Sequence, residues 1–193
     1  VRATGLNYLD VFARRGMPGV SIPLPFISGG DIAGEIDTVG DGVTGWRAGE
    51  RVVVNPKTKR GLIGEEVNGG LAERVAVPAE NLVRLPESVS FEDGAAIPIA
   101  FGTALRMLTT IGGLKAGESI LILGASGGVG TACVQIAKMV GARVIAAAGS
   151  AEKADKLRAL GADEVIDYSR DDFSRAAWDL SGRKGVNVAV NFT

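Results

Sequence analysis

The sequence predicts an α/β fold in two parts, an antiparallel, barrel-like part followed by a doubly wound parallel sheet. Two observations predict this order. Residues 31–85 form short β-rich runs separated by turn residues, and from residue 90 onward strand-like apolar runs alternate with helical patterns. The 193 residues, of which 46% are hydrophobic and 22% charged, can bury one large core or two small ones.

The first part is predicted to consist of strands that pair antiparallel. Its apolar runs are short, and turn-forming residues stand between them, which favours tight turns over helical crossovers. The predicted strands are 31–39, 50–54, 71–77 and 81–85, and the pair Asp41-Gly42 marks a turn after the first of them.

A helix is predicted to begin at Ser90, because a serine followed by acidic residues is typical of a capped helix N-terminus. Pro98 should interrupt this helix, since proline removes a backbone donor and clashes with the preceding turn. No low-complexity linker separates the two parts. We therefore place the boundary beside this proline, with domains at 1–98 and 99–193.

The second part is predicted to repeat a strand–helix unit, with a glycine just past each helix as the expected left-handed stop. The expected strands are 119–123, 143–147, 164–166 and 186–193, and the expected helices are 128–140 and 151–160. Apolar strands joined by such helices specify right-handed crossovers in a parallel sheet. Because the last strand has no helix after it and residue 1 is not Met, we expect both domains to be truncated.

The charge balance excludes several classes of partner. Lys and Arg total 21 against 22 Asp and Glu, and the basic residues are scattered, so no strong field attracts nucleic acid or an anionic membrane. The apolar runs are shorter than the roughly 20 residues that a bilayer demands. We expect a cytoplasmic protein with neither nucleic acid nor membrane as partner.

The sequence contains no histidine and one cysteine, Cys133. Catalytic zinc sites are built from His, Cys and carboxylate ligands, so we expect no metal site. Acid–base catalysis by histidine is excluded. Cys133 lies inside an apolar helical pattern and is predicted to be a packing residue.

A glycine-rich segment between the strand 119–123 and the helix 128–140 carries the clearest functional signal. Glycines at such a turn let the backbone approach a pyrophosphate, and the helix N-terminus supplies N–H groups and partial positive charge. The sequence therefore predicts a Rossmann-type dinucleotide site. Its predicted cofactor-binding residues are Gly124, Ala125, Ser126, Gly127, Gly128, Val129 and Gly130.

The end of the next strand bears on the choice of dinucleotide. NAD sites present an Asp or Glu there to the ribose 2′-hydroxyl, but this strand continues as Ala148-Gly149-Ser150. A 2′-phosphate would meet no repulsion, Ser150 can donate a hydrogen bond and Lys153 supplies a charge. NADPH is therefore favoured. The alternative is that Ser150 only caps the next helix and Lys153 is a solvated first-turn residue.

Several motifs in a fixed order resemble the medium-chain dehydrogenase/reductase superfamily, and within it the zinc-free quinone oxidoreductases similar to zeta-crystallin. Besides the glycine-rich loop, the motifs are Asn7-Tyr8-Leu9-Asp10, Arg14-Arg15-Gly16, Gly29-Gly30-Asp31-Ile32-Ala33-Gly34, Gly69-Gly70-Leu71-Ala72-Glu73 and Gly102-Thr103-Ala104. The resemblance implies a GroES-like catalytic domain at 1–98 and an NAD(P)-binding Rossmann domain at 99–193. It also implies a homodimer or homotetramer at full length.

The resemblance also implies roles for individual residues. Zinc-dependent relatives carry three ligands at positions that match Asn7, Gly30 and Ile99, none of which binds zinc strongly. Asn7 and Thr103 would face the nicotinamide and its ribose. Two alternatives remain open: Asn7 as a turn residue, and Thr103 as a helical residue bonded to its own backbone.

The same resemblance places the adenosine 2′-phosphate at Gly149, Ser150, Lys153 and Tyr168, although Tyr168 could instead be a rim aromatic. At the N-terminal motif, Asp10 and Arg14 could simply form a helical i,i+4 pair. Phe12 stands where many quinone reductases carry a tyrosine, so a phenolic proton donor is absent at that position.

Together these features predict an NADPH-dependent oxidoreductase that transfers hydride to a quinone or α,β-unsaturated carbonyl without a metal ion. Conjugate addition of hydride needs positioning and modest polarisation of the carbonyl, which side chains can supply. The alternatives are an enoyl-thioester reductase of the same superfamily and a crystallin-like protein that binds NADPH with little turnover.

Overall fold

The computed structural model describes residues 1–16, 22 and 24–193. The chain divides into two compact units, Val1–Ile99 and Ala100–Thr193, and each is described by itself. This division falls one residue from the boundary predicted beside Pro98. None of the helices within the described ranges combines the length and apolar character that crossing a membrane requires.

The first unit is built on a four-stranded antiparallel sheet with strand order β1-β2-β3-β6. The strands of the whole unit are β1 (Ala3–Gly5), β2 (Asp31–Glu35), β3 (Arg51–Val54), β4 (Lys57–Thr58), β5 (Gly61–Leu62) and β6 (Leu82–Arg84). β4 and β5 form a separate two-stranded ribbon. Its helices are α1 (Tyr8–Arg15), a 3₁₀ turn (Ala79–Asn81) and α2 (Phe91–Ala95).

The predicted strand 71–77 is wrong. The segment carries no β-ladder in the structure, and Leu71 instead donates its N–H to the Ser28 carbonyl at 3.0 Å. The side chains of Val75 and Val77 pack against an apolar cluster formed by Ile32, Val54 and Ile63. The alternating pattern therefore indicated one partly buried face, which a segment can have without pairing to a strand.

The predicted strand 31–39 is too long at its C-terminal end. β2 ends at Glu35, after which Ile36 still exchanges hydrogen bonds with Glu50 and Gly49 at 3.0 and 2.8 Å. The chain then turns at the predicted pair Asp41-Gly42, where Gly42 adopts a φ of 76°. The ladder thus ends before the turn is reached, and residues 37–39 lie between the two.

The second unit is built on a four-stranded parallel sheet with strand order β10-β7-β8-β9, which confirms the predicted fold class. Its strands are β7 (Ser119–Leu123), β8 (Arg143–Ala148), β9 (Glu164–Asp167) and β10 (Val188–Asn191). Its helices are α3 (Ala100–Leu105), a π-helix (Arg106–Ile111), α4 (Gly128–Val140), α5 (Ala151–Ala159) and α6 (Phe173–Leu180). The helix α6 was not predicted from the sequence.

Apolar side chains cover both faces of this sheet, as a parallel sheet requires. Alternate residues of each strand point to opposite faces, so Ile120 and Ile122 pack towards α4 whereas Leu121 and Ile145 pack towards α6. Each such side chain contributes about 1.5–3 kcal/mol through burial. The sheet thereby fixes the ends of β7, β8 and β9, after which the predicted cofactor residues lie.

Candidate functional site

The loop between β7 and α4 has the backbone geometry that its glycines were predicted to allow. Gly124 adopts a φ of 70°, a conformation that other residues rarely take. Gly127 then donates its N–H to the Gly124 carbonyl at 3.1 Å and precedes α4 as its N-cap. A Cβ on Gly130 would lie 2.7 Å from Ala125 Cα, so only glycine permits this close contact between helix and loop.

The N-terminus of α4 is the place where the sequence predicts a pyrophosphate to bind. The first N–H groups of a helix have no partner within it, and a 13-residue helix such as α4 adds the positive end of its dipole. Acidic residues are absent from its first turn. Of the predicted residues, Gly124 to Gly127 lie in the turn that follows β7, and Gly128, Val129 and Gly130 form the start of α4.

Three of the residues predicted to hold a 2′-phosphate lie together beyond β8. A Cβ on Gly149 would come within 2.9 Å of the Tyr168 hydroxyl oxygen, so the phenol lies directly against the Gly149 backbone. The Tyr168 N–H donates to the Ala148 carbonyl at 2.9 Å. Ser150 follows at once as the N-cap of α5, and Lys153 is exposed in the first turn of that helix.

The cap at Ser150 is present, as the alternative interpretation expected. Its Oγ accepts the Lys153 N–H at 3.4 Å. This contact uses a lone pair of the hydroxyl and leaves its O–H free to donate. The cap and a hydrogen bond to a phosphate are therefore compatible.

A carboxylate that the sequence pattern did not indicate lies beside this site. Asp167, the last residue of β9, is the register partner of Ala148. It accepts hydrogen bonds from the hydroxyl and the N–H of Ser169 at 2.6 and 3.0 Å, and these contacts lower its pKa. Both of these hydrogen bonds go to one carboxylate oxygen, Oδ1.

In the first unit, Asn7 lies at the N-cap of α1 and its side chain contacts Asp31. Asn7 Nδ2 donates to Asp31 Oδ2 at 2.7 Å, while the backbone N–H of Ile99 donates to Asp31 Oδ1 at 2.8 Å. Asp31 begins β2 and is only 2% exposed. Its partner in the register, Gly5, leaves room for the carboxylate, because a Cβ there would lie 3.1 Å from Asp31 Oδ2.

Asp10 does not form the i,i+4 pair with Arg14 that the sequence allowed. It is buried, and its carboxylate accepts the N–H of Asn7 and the N–H of Gly29, both at 2.8 Å. Asp10 therefore ties the start of α1 to the glycine pair that precedes β2. Neither Asp10 nor Asp31 was assigned a role from the sequence, although both stand inside the quoted motifs.

Burial raises the pKa of the Asp31 carboxyl above its ordinary value of 3.8. The hydrogen bonds from Asn7 and Ile99 oppose this rise, and the nearby Asp10 carboxylate adds to it. The two donors satisfy both carboxylate oxygens, which is how a charge at this depth is held.

Asn7, Gly30 and Ile99, the three positions that the resemblance matched to zinc ligands, lie around Asp31. A Cβ on Gly30 would lie 2.7 Å from Ile99 Cδ1 and 2.8 Å from the Ile63 carbonyl oxygen. The Ile99 side chain thus fills the place of a ligand at position 30. Within the described ranges, no three His, Cys, Asp or Glu residues are grouped so as to hold a metal ion.

Cys133 belongs to the core of the second unit, as the sequence predicted. It is fully buried in α4, and burial raises the pKa of its thiol to about 11. The thiol therefore stays protonated at neutral pH.

Thr103 lies on α3 in the second unit and is exposed. The alternative that its hydroxyl bonds to its own helix is not observed, since no such bond occurs among the side-chain contacts of the described residues. Thr109 makes that type of bond instead, to the Leu105 carbonyl at 2.7 Å. The structure thus brings Asn7 together with Asp31, and Gly149 together with Tyr168, within single units.

An open cavity of about 640 Å³ lies on the first unit. It is lined mainly by apolar side chains, among them Trp46, Val52 and Val75. Asn7, Asp31 and Ile99 are not part of its lining. Cavity volume alone would therefore not lead to the polar cluster around Asp31, which the family motifs contain.

Two family models match the chain. The alcohol dehydrogenase GroES-like domain matches residues 1–87, and the zinc-binding dehydrogenase domain matches residues 128–193. The first match falls within the antiparallel unit and the second within the parallel one.

Similar proteins and structures agree with these matches. The quinone oxidoreductase of Rattus norvegicus is 38% identical over 191 residues, which cover 98% of this chain and 55% of the relative. The Escherichia coli quinone oxidoreductase complexed with NADPH is 32% identical with a TM-score of 0.83, covering 96% of this chain and 54% of that one. A structure described as an NAD-dependent alcohol dehydrogenase is 39% identical with a TM-score of 0.90, covering 98% and 60%.

The chain spans about half the length of the curated relatives it matches. Family models match both of its units in this order, and the chain is similar to quinone oxidoreductases over nearly all its residues. These matches assign the family. The chain belongs to the medium-chain dehydrogenase/reductase superfamily, in its quinone oxidoreductase branch.

Proposed function

We propose that this chain binds NADPH and, at full length, reduces a quinone or another α,β-unsaturated carbonyl without a metal ion. The observation that carries the proposal is the cluster of Asn7, Gly30 and Ile99 around Asp31, because these positions offer an amide and an apolar side chain instead of metal ligands. A bound nicotinamide would supply the hydride.

The chain's part in cofactor binding is electrostatic and steric. The N–H groups at the start of α4 donate to the pyrophosphate, and the glycines from Gly124 to Gly130 keep side chains out of its way. The Ser150 hydroxyl, the Lys153 ammonium and the Tyr168 hydroxyl supply donors for a 2′-phosphate beside Gly149. The similarity to an NADPH-complexed quinone oxidoreductase supports this choice of dinucleotide.

The residues of the chain do not fit a catalytic zinc. The sequence contains no histidine, Cys133 is buried in the other unit, and Asp10 and Asp31 are engaged by backbone or amide N–H groups. Reduction of a conjugated carbonyl requires a polarising donor more than a Lewis acid. The Asn7 amide and the Thr103 hydroxyl are the side chains that we propose for contacts with substrate and nicotinamide.

The cofactor proposal is tested by Lys153→Ala in the full-length protein. A charge-assisted contact to phosphate contributes about 1.5–3 kcal/mol, so NADPH should bind roughly tenfold to a hundredfold more weakly while NADH is unaffected. The matched control is Lys156→Ala on the same helix, because Lys156 is paired with Glu152 at 2.7 Å. Fluorescence titration of both cofactors gives the dissociation constants. If Lys153→Ala weakens the binding of NADPH and NADH equally, the proposed 2′-phosphate site is wrong.

The reaction is tested by following NADPH oxidation with quinones and enones, together with metal analysis of the purified protein. We expect turnover, less than stoichiometric zinc and no loss of activity on treatment with a chelator. One tightly bound zinc per chain would overturn the metal-free assignment. Turnover confined to enoyl thioesters would favour the enoyl-reductase alternative. Cofactor binding without turnover of any of these substrates would favour a crystallin-like protein.

A further inference from the structure

We infer that Asp31 is a positioning residue that fixes the orientation of the Asn7 side-chain amide. This inference rests on the proposed function, in which Asn7 contacts the nicotinamide or the substrate. Asp31 itself is buried beneath this amide and would touch neither.

The chemistry of the contact determines which end of the amide faces inward. An ionised carboxylate only accepts hydrogen bonds, so the Asn7 atom at 2.7 Å from Asp31 Oδ2 must be the amide nitrogen. The carbonyl oxygen and the second N–H of Asn7 are then left to face a ligand. Without Asp31, the two ends of the amide would be nearly equivalent in shape, and both orientations would be populated.

The carboxylate is itself held so that it cannot turn away. Ile99 donates its N–H to Oδ1, and the Asp31 backbone carbonyl accepts the Thr4 hydroxyl at 2.7 Å. Asn7 is fixed independently, because its N–H donates to Asp10 Oδ2 and its carbonyl accepts the Asp10 N–H at 3.1 Å. With both backbones anchored, the side-chain contact has one geometry.

The arrangement also explains the placement of a charge that is costly to bury. Removing a carboxylate from water is unfavourable unless donors replace the lost solvation. Asn7 could have been satisfied by any acceptor, and a neutral group would have avoided that cost. An anion at this point, however, rejects the carbonyl end of the amide, and a neutral amide or hydroxyl would accept either end.

The first experiment is a double-mutant cycle in the full-length protein, measured as kcat/KM for a para-quinone with saturating NADPH. Asp31→Asn keeps the shape but cannot accept from both Asn7 and Ile99. We expect kcat/KM to fall roughly tenfold to a hundredfold, with the Kd for NADPH within about twofold of wild type. In an Asn7→Ala background, Asp31→Asn should have no further effect beyond about twofold. A purely structural role would give losses that multiply, and that result would overturn the inference.

The second experiment does not depend on turnover. The ¹⁵N–¹H correlations of the Asn7 side-chain amide, assigned by their loss in Asn7→Ala, should show one proton shifted downfield by the carboxylate in wild type. This shift should disappear in Asp31→Asn. Unchanged Asn7 amide signals would overturn the inference even if quinones are reduced. If the signals respond but no quinone or enone is reduced, the orienting contact is upheld and the proposed function fails.

Discussion

In the second unit, the loop between β7 and α4 is built from residues that are neighbours in the sequence. In the first unit, the Asn7 amide depends on Asp31, 24 residues away, which in turn is held by Ile99, 68 residues further on. The loop requires special backbone angles and absent side chains, for which glycine is a direct signal. The polar cluster requires hydrogen bonds between residues far apart in the sequence, which no local residue pattern predicts.

The largest effect that we expect concerns Gly130, where the contact between helix and loop requires a glycine. Gly130→Ala would place its Cβ 2.5 Å from the Gly124 carbonyl and 2.7 Å from Ala125, where backbone would have to move. Overpacking of this kind should lower the free energy of unfolding by about 3 kcal/mol. Urea denaturation followed by circular dichroism measures the loss.

The matched control is Gly128→Ala, two residues earlier in the same helix. An added Cβ there meets only Ala100 Cβ, at 4.0 Å, and alanine favours a helix over glycine. The free energy of unfolding should stay within about 0.5 kcal/mol of wild type or rise. If both variants unfold alike, the glycines do not differ in the way that the loop geometry requires.

The next effect tests whether the start of α5 is only a helix cap. Ser150→Asp keeps the cap, because aspartate is as good an N-cap as serine, yet it places a negative charge where the 2′-phosphate is proposed. NADPH affinity should fall roughly tenfold to a hundredfold while NADH affinity is kept or improved. Isothermal titration of both cofactors provides the measurement.

Ser150→Asn separates charge from capping in that experiment. Asparagine caps the helix equally well and is neutral, so its effect on NADPH should be several-fold smaller than that of Ser150→Asp. A mutation to Asp at Ala148 would be a poorer probe, because Ala148 is fully buried and lies beside Asp167 in the sheet register. Identical NADPH affinities for the Asp and Asn variants would leave Ser150 as a cap alone.

Sequence reasoning was most successful where one residue type has one physical explanation. Gly124, Gly130 and Pro98 impose or permit particular backbone shapes, and the parallel sheet follows from long apolar strands between helices. It failed at 71–77, where an alternating pattern produced a partly buried face without a strand partner. It also omitted α6. The apolar face of this helix packs on Leu121 and Ile145, a contact that is evident only in the folded structure.

The candidate site divides in the same way. The loop residues and Ser150 were predicted as site residues because strand ends and helix starts carry recognisable residues. Asn7 was predicted as a site residue only through resemblance to a family. The roles of Asp10 and Asp31 were missed, since an aspartate in a motif can serve equally as a ligand, a cap or a surface charge until its partners are seen.

The smallest expected effect is on the pH dependence of stability. It should differ between variants of the buried Asp31 in the first unit and of Asp163 in the second. The pKa of Asp31 in the folded state lies above 3.8, so its carboxyl binds a proton more tightly when folded. The stability difference between wild type and Asp31→Asn should therefore be most favourable to wild type below pH 3.8. It should then fall as pH rises through the folded pKa, because ionisation inside the protein costs more than in the unfolded chain.

Asp163→Asn is the matched control, and its pH dependence should have the opposite sign. Partial burial of Asp163 favours a higher pKa, but hydrogen bonds from Lys138 Nζ and the Val144 N–H, at 2.8 and 2.7 Å, lower the pKa below 3.8. The advantage of wild type over Asp163→Asn is thus present above pH 3.8 and is lost as pH falls through the lowered pKa. Urea unfolding of the three proteins between about pH 3 and pH 7 decides the matter. Curves of the same sign for both variants would show that burial does not raise the pKa of Asp31, and the contrast between the two units would lose its electrostatic basis.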